Sequence, residues 1–170
     1  GLGSVAVTIP EAMHAVPAAA TTLCSDKKTK PISGSWFEFQ HSAAEGGYWN
    51  EALAHFTADQ WRRKVFEIRE VGMEYLVLMG VARAGKPFYP SKIAPRIPMG
   101  CDDPLEAVLS AADECGIKFF VSNDFWGDLD AYNMMLDKGV QTVRFQAMEE
   151  IAERYSHHAC FYGWYFPNEA

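Results

Sequence analysis

The sequence predicts an α/β fold that forms the N-terminal half of a (β/α)8 TIM-type barrel, in the order β-α-β-α-β-α-β. Apolar runs typical of buried parallel strands alternate with amphipathic helices along the chain. Long loops follow the first three predicted strands, as on the catalytic face of a barrel. No glycine-rich phosphate loop follows the first strand, which disfavours an open doubly wound sheet with the same element order. We expect the chain to hold only half of a barrel, so that the fold is incomplete.

The first two predicted strands enclose a helix with a clear start. Residues 32–40 carry β-forming and aromatic side chains, and residues 74–82 form a nearly continuous apolar run. Between them, Thr57 and Gln60 have the spacing of a capping box before apolar residues at helical intervals. Gly72 then marks the helix end, because glycine readily adopts the left-handed conformation of a helix cap.

The next helix has signals at both ends. Asp103 is placed as its N-cap, a proline follows at the first helical position, and Gly116 marks its end. Residues 117–124 then read as the third strand. Residues 130–155 are predicted to be helical in one or two pieces, with a break at Gly139.

The composition excludes several classes of protein. A net charge of −7 and a pI near 5.2 disfavour a nucleic-acid partner, because such proteins usually carry a basic stripe. The cysteines lack the C-x-x-C spacing of zinc ribbons and thioredoxins, and histidines and carboxylates do not cluster with ligand spacing. We therefore expect neither a metal nor another cofactor. No apolar run approaches the roughly 18 residues that span a bilayer, so we expect no membrane partner.

The chain divides into an N-terminal segment and one domain. Residues 1–30 are predicted to be an extended or partly disordered arm, and residues 31–170 the half-barrel. The arm is rich in small residues but lacks the basic and continuous apolar regions of an intact signal peptide. It is compatible with a remnant of export processing, which favours a secreted or periplasmic protein.

The fourth predicted strand, residues 161–167, runs directly into Asn168 and Glu169. Barrel enzymes keep functional side chains at the carboxyl ends of their strands. Aromatic neighbours disfavour the charged form of a carboxyl group, so Glu169 is a candidate proton donor, with a terminal loop carboxylate as the alternative. Asn168 is a candidate hydrogen-bond donor to a sugar hydroxyl, with a turn residue as the alternative.

Other candidate residues follow the earlier strands. Asn123 and Asp124 come after the third strand, and Glu38 lies between two phenylalanines of the first, facing either the barrel mouth or solvent. Flat rings in the loops suit the apolar faces of pyranose sugars, although anchoring of the loops by packing is equally compatible with them. The aromatic candidates for substrate binding are Trp49, Tyr89 and Trp126.

Several segments resemble a poorly characterised family of glycoside-hydrolase-like barrel proteins, found largely among bacterial secreted proteins. The similar segments are the GSWFEF strand, the DQW helix start, the FYPSK loop and the FYGWYFPNE strand, with its G-W-Y-x-P-x-E pattern. More distantly, Asn168-Glu169 is similar to the Asn-Glu pair of the retaining (β/α)8 glycosidase clan. That resemblance implies a general acid role for Glu169 and a substrate contact for Asn168. The clan's nucleophile lies on a seventh strand, which this chain lacks.

Three hypotheses remain open from the sequence. The first is a glycoside hydrolase fragment that acts on an oligo- or polysaccharide once a C-terminal half-barrel supplies the second carboxylate. The second is a carbohydrate-binding barrel without catalysis. In the third, two copies of the half-barrel close one barrel, because both edge strands would otherwise expose unpaired backbone groups.

Overall fold

The computed structural model describes residues 30–40, 51–124, 126–127 and 136–166. The predicted arm, residues 1–30, lies outside them apart from Lys30, so its conformation stays a prediction. The described elements lie in the compact unit Ile32–Ala170. In chain order they are β1 (Gly34–Phe37), a 3₁₀ helix (Glu51–His55), α1 (Ala58–Glu70), β2 (Tyr75–Leu78), β3 (Ala82–Arg83), β4 (Lys86–Pro87), α2 (Pro104–Cys115), β5 (Lys118–Ser122), α3 (Lys138–Tyr155) and β6 (Phe161–Tyr165).

Four of the strands form one parallel sheet in the order β1-β2-β5-β6. Tyr75 of β2 pairs with Gly34 of β1 on one side and with Lys118 of β5 on the other. The helices α1, α2 and α3 connect successive strands of this sheet. The order and direction confirm the predicted β-α-β-α-β-α-β fold, which is the half of a TIM-type barrel. The strands β3 and β4 form a separate antiparallel pair.

The starts of α1 and α2 are set by the capping residues that the sequence predicts. The Thr57 hydroxyl accepts a hydrogen bond from the Gln60 backbone N–H, and Gln60 Oε1 accepts one from the Thr57 backbone N–H at 2.9 Å. Asp103 Oδ1 accepts from the Glu106 backbone N–H at 3.0 Å. Gly116 ends α2 with a φ of 74°, a left-handed conformation that glycine adopts without steric cost.

The predicted helix break at Gly139 is wrong. The helix α3 begins at Lys138, so Gly139 lies inside its first turn. The N-cap is Asp137, whose Oδ1 accepts a hydrogen bond from the Val140 backbone N–H at 3.0 Å. An aspartate cap satisfies a backbone donor that the helix itself leaves free, and this outweighs the weak helix propensity of one glycine. Residues 130–135 of the predicted helical segment lie outside the described residues.

The two faces of the sheet differ in burial. Alternate side chains, among them Leu76, Leu78 and Phe119, are buried with α1 and α2 in the hydrophobic core. The side chains between them point to the other side, which we call the concave face. In a closed barrel, this second set of side chains faces the interior. The aromatic side chains of the concave face are Trp36, Tyr75, Phe120, Tyr162 and Tyr165.

A two-residue β-hairpin occupies part of the segment that the sequence predicts to be a plain loop after the second strand. It pairs Arg83 with Lys86 across the turn. The two residues between them, Ala84 and Gly85, have φ values of 47° and 74°. Positive φ at both central residues is the requirement of the type I′ turn, which matches the twist of paired strands. Strands of two residues are too short for alternation of polar and apolar residues to reveal them.

Candidate functional site at the carboxyl ends of the strands

The carboxyl ends of β1, β2, β5 and β6 lie along one edge of the sheet, because all four strands run in the same direction. Glu38 directly follows β1, and Asn123 and Asp124 directly follow β5. The structure therefore brings these three predicted residues to the same edge. Three other predicted site residues lie outside the described residues, and their placement stays a prediction: Trp49, Asn168 and Glu169.

Glu38 lies on the concave side of the sheet. Its neighbours Phe37 and Phe39 are 7% and 1% exposed and pack edge to face against Trp61 of α1, on the helical side. Successive side chains of an extended chain point to opposite sides, so Glu38 shares the side of Trp36. The sequence left open whether this carboxylate faces the barrel mouth or solvent, and the burial of its two neighbours favours the mouth.

A buried arginine holds the two polar residues after β5. Arg144 of α3 donates from Nη2 to Asn123 Oδ1 at 3.2 Å, and its Nη2 lies 3.8 Å from Asp124 Oδ2. All three side chains are buried. The Asp124 backbone N–H donates to the Ser122 hydroxyl at 3.1 Å, which fixes the chain as it leaves the strand.

Sequence reasoning missed Arg144. Its position matches the helical spacing of the buried residues Ala147 and Ile151, so it occupies the apolar side of α3. An arginine at a core position of an amphipathic helix is a signal for a buried anionic partner, since a buried charge is costly unless it is paired. The partner is Asp124, at the strand end where a barrel keeps its functional groups. The result is a polar group of fixed geometry at the site.

Tyr89 and Trp126, two of the aromatic candidates, are buried and face each other edge-on, with ring centroids 6.5 Å apart. The Tyr89 hydroxyl donates to Glu150 Oε2 of α3 at 3.1 Å. Burial, with a further contribution from the negative charge of Glu150, raises the pKa of Tyr89. Trp126 Nε1 is buried without a hydrogen-bond partner in the described part of the chain. Both rings anchor loops in this structure; their contact with a sugar stays a prediction.

Glu150 fastens the loop after the hairpin to α3. Besides the Tyr89 hydroxyl, it accepts hydrogen bonds from the Ser91 hydroxyl at 2.6 Å and from the Lys92 backbone N–H at 2.7 Å. A buried carboxylate needs such donors to offset its lost hydration. The FYPSK segment that carries part of the family resemblance is therefore fixed against α3.

A second polar cluster lies at the opposite, amino-terminal ends of the strands. His158, in the turn before β6, has Nδ1 2.7 Å from Asp113 Oδ2 and Nε2 3.1 Å from Glu106 Oε2. Burial disfavours the imidazolium, but the hydrogen bonds to both carboxylates and their charges outweigh it and raise the pKa of His158. This histidine thus bridges α2 and the turn before β6.

Two overlapping groups of this cluster bring possible metal-ligand atoms within 4.8 Å of one another: Glu106, His157 and His158, and Asp113, His158 and Cys160. The sequence predicts no metal site, because its histidines and carboxylates do not cluster with ligand spacing; Glu106 and Asp113 are far along the chain from His157, His158 and Cys160. The Cys160 thiol donates to the Leu109 carbonyl at 3.2 Å, and burial raises its pKa. The raised pKa disfavours the thiolate form of Cys160, which is the form that binds metals. Both ring nitrogens of His158 already have carboxylate partners.

None of the helices in the described part of the chain combines the length and the apolar character that crossing a membrane requires.

Comparison with known proteins identifies a family and a fold. The model of a family described as "Domain of unknown function (DUF4434)" matches residues 32–170. No curated protein matches the chain. A solved structure described as a "putative alpha-L-fucosidase" from Bacteroides thetaiotaomicron is similar, with a TM-score of 0.55 and 16% sequence identity. The similar region covers 88% of this chain and 46% of that chain.

An alpha-L-fucosidase GH29 from the same organism is also similar, with a TM-score of 0.48 and 18% identity, over 79% of this chain and 38% of that chain. The chain thus spans less than half the length of these two solved structures. At 16% identity, the first likeness concerns the fold, which is glycoside-hydrolase-like.

Proposed function

The chain belongs to the family described as "Domain of unknown function (DUF4434)", and from that premise we propose that it is the acid-bearing half of a glycoside hydrolase. Glu169 donates a proton to the glycosidic oxygen of an oligo- or polysaccharide, and Asn168 hydrogen-bonds a hydroxyl of the sugar beside that bond. Glu38, Asn123 and Asp124 hold the sugar, together with loop aromatics such as Trp49. The small-residue stretch before residue 31 favours a secreted or periplasmic bacterial enzyme.

The observation that carries this proposal is the shared edge of the sheet. Glu38, Asn123 and Asp124 lie where the parallel strands end, and β6 ends there at Tyr165. Glu169 is four residues further along the chain. Four residues of chain reach at most about 14 Å, a span short enough for the Glu169 carboxyl group to serve a site at that edge. A carboxyl group beside polar groups of fixed geometry is what a barrel active site requires.

The site needs a second carboxylate, and the proposed partner is the other half of the barrel. Retaining hydrolysis uses two carboxyl groups about 5 to 5.5 Å apart, and inverting hydrolysis about 6.5 to 9.5 Å apart. The similar fucosidase structure is about twice as long as the region it shares with this chain. Trp36 and Tyr162 on the concave face are each 56% exposed, which suits a face that further strands cover. Those strands come from further polypeptide or from a second copy.

The test replaces Glu169 and separates turnover from binding. The protein, with every residue that its gene encodes, is screened for hydrolysis of 4-nitrophenyl glycosides and of oligosaccharides, and binding is followed by calorimetry. We expect Glu169→Gln to abolish hydrolysis of an oligosaccharide that it still binds. Glu149→Gln, at an exposed position of α3, is the matched control and should leave both unchanged. Binding without hydrolysis by the unaltered protein would instead support a carbohydrate-binding barrel.

A further inference from the structure

The β3–β4 hairpin stands beside the candidate site. It follows the carboxyl end of β2 after the three residues 79–81. A Cβ atom added at Gly85 would lie 3.0 Å from the Trp126 carbonyl oxygen. The turn of the hairpin therefore packs closely against the loop that carries Asp124, and the hairpin forms part of the same mouth.

Two cations lie opposite each other on this hairpin. Arg83 pairs with Lys86, and directly opposed residues of an antiparallel pair project to the same side, with Cα atoms about 5 Å apart. The neighbouring pair, Ala82 and Pro87, is buried, so the cations occupy the outer side. Arg83 is itself half-buried, whereas Lys86 is exposed. In the described part of the chain, neither side chain has an ion pair or a hydrogen bond.

Four other arginines in the described part of the chain have carboxylate partners. Their N···O distances are 2.7 Å, 3.1 Å, 3.4 Å and 3.8 Å: Arg62 with Glu114, Arg96 with Asp102, Arg154 with Asp103, and Arg144 with Asp124. In a chain of net charge −7, carboxylates are not scarce. Like charges directly opposed across two strands are destabilising, and half-burial adds a loss of hydration. An anion bound between them would offset both penalties.

The turn that carries the pair is itself strained. Ala84 has a φ of 47°, and it is the one residue other than glycine with a positive φ in the described ranges. A residue with a Cβ atom is strained in this conformation, because the Cβ atom approaches the following carbonyl oxygen. Such an outlier persists where the surrounding structure holds it, here by the contact of Gly85 with the Trp126 backbone. The hairpin thus holds the Arg83 and Lys86 side chains on a backbone of fixed conformation.

We propose that Arg83 and Lys86 form a subsite for an acidic group of the carbohydrate, so that the substrate is an anionic sugar polymer or oligomer. The inference rests on the proposed function, since it assigns a substrate class to the same mouth. A guanidinium binds a carboxylate or a sulfate through two parallel hydrogen bonds, and a nearby ammonium adds a third. Sugar carboxylates and sugar sulfates both accept such hydrogen bonds. Binding measurements with one probe of each kind distinguish them.

The experiment measures binding by calorimetry to two matched pairs of probes. Trigalacturonate and its methyl ester differ by the carboxylate charges; galactose 6-sulfate and galactose differ by one sulfate. The protein is compared with Arg83→Gln/Lys86→Gln and with the control Arg63→Gln/Lys138→Gln, which removes two exposed cations from α1 and α3. Thermal unfolding checks that each variant is folded, and the hairpin cations lie on its outer side, so their removal should leave the fold intact.

We expect the unaltered protein and the control to bind one charged probe at least about ten-fold more tightly than its neutral partner, and the hairpin variant to lose that preference. Preference for trigalacturonate identifies a carboxylate sugar, and preference for galactose 6-sulfate a sulfated one. Equal binding of charged and neutral probes, or a preference that survives in the hairpin variant, would overturn the inference while leaving the proposed function standing. Absence of binding to all four probes overturns the inference too, and the Glu169 test then decides the proposed function separately.

Discussion

The ring of Trp36 on β1 lies 5.0 Å from the ring of Tyr165 on β6, edge to face at 64°. Their strands are the first and the last in the order β1-β2-β5-β6, with two other strands between them. Side chains of strands so far apart in a flat sheet cannot meet, because neighbouring strands are about 4.8 Å apart. The sheet is therefore curved as in a barrel wall, and this pair joins its two edges across the concave face.

The Trp36 and Tyr165 rings should stabilise each other directly. In a double-mutant cycle of Trp36→Leu and Tyr165→Leu, we expect a coupling of about 0.5 to 1.5 kcal/mol in the free energy of unfolding, as for other edge-to-face pairs. Urea unfolding followed by circular dichroism measures the three variants. Purely additive losses would show that the two edges of the sheet do not meet in solution.

His158 should make stability depend on pH. Its raised pKa means that its contribution is complete below the ordinary histidine pKa of about 6.5 and is lost as the pH rises through the higher folded value. Partial burial of Glu106 and Asp113 raises their pKa values, but the hydrogen bonds from His158 outweigh it and lower both. The two carboxylates therefore lose their contribution to stability only in acid. We expect the free energy of unfolding to fall as the pH rises above about 6.5.

The control for this measurement is the exposed His55 of the 3₁₀ helix. His158→Gln should remove most of the decline above about pH 6.5, whereas His55→Gln should leave it intact. Urea midpoints at several pH values give the measurement. A decline of equal size in both variants would assign the pH dependence to other groups.

Removing Arg144 should be far more damaging than removing a surface arginine. Arg144→Met removes the guanidinium beside the buried Asp124 carboxylate, and breaking a buried pair from one side costs about 3 kcal/mol. Arg62→Met removes an ion pair with the exposed Glu114, which is worth less than about 1 kcal/mol. Equal losses in urea unfolding would mean that Arg144 is not paired as described.

Relief of the turn strain should stabilise the protein. Ala84→Asn creates the Asn-Gly sequence that type I′ hairpin turns prefer, since asparagine tolerates a positive φ better than alanine does. We expect a gain of about 1 kcal/mol in the free energy of unfolding. Ala159→Asn, in an exposed turn without positive φ, is the control and should change it little. A loss of stability at residue 84 would contradict the hairpin geometry on which the anion subsite depends.

The fold was predictable because its signals are local. Thr57 and Gln60 define the start of α1, and Asp103 and Gly116 define both ends of α2, each through hydrogen bonds within a few residues. The order of apolar runs and helices then gives a parallel sheet. The start of α3 differs from the prediction, because the Asp137 cap favours a helix start more strongly than Gly139 disfavours a helix.

The site was predictable only in part, since its contacts join distant parts of the chain. The position of Glu38, Asn123 and Asp124 at the strand ends was predictable, because it depends only on the common direction of the strands. Arg144 and its bond to Asn123, 21 residues away, depend on how α3 packs against the sheet. The burial of Tyr89 likewise depends on Glu150, 61 residues away. The spacing of residues along a sequence does not predict contacts between residues so far apart in the chain.

The most direct test of the central claim, that Glu169 is a general acid, is the leaving-group dependence of hydrolysis. In Glu169→Gln, turnover of an oligosaccharide should fall by about 10²- to 10⁴-fold, the usual contribution of a general acid. A 2,4-dinitrophenyl glycoside of the same sugar needs no protonation of its leaving group, so bond cleavage in it should be almost unaffected. Equal loss on both substrates, or no loss on either, would contradict the assignment of Glu169 as the acid of this barrel.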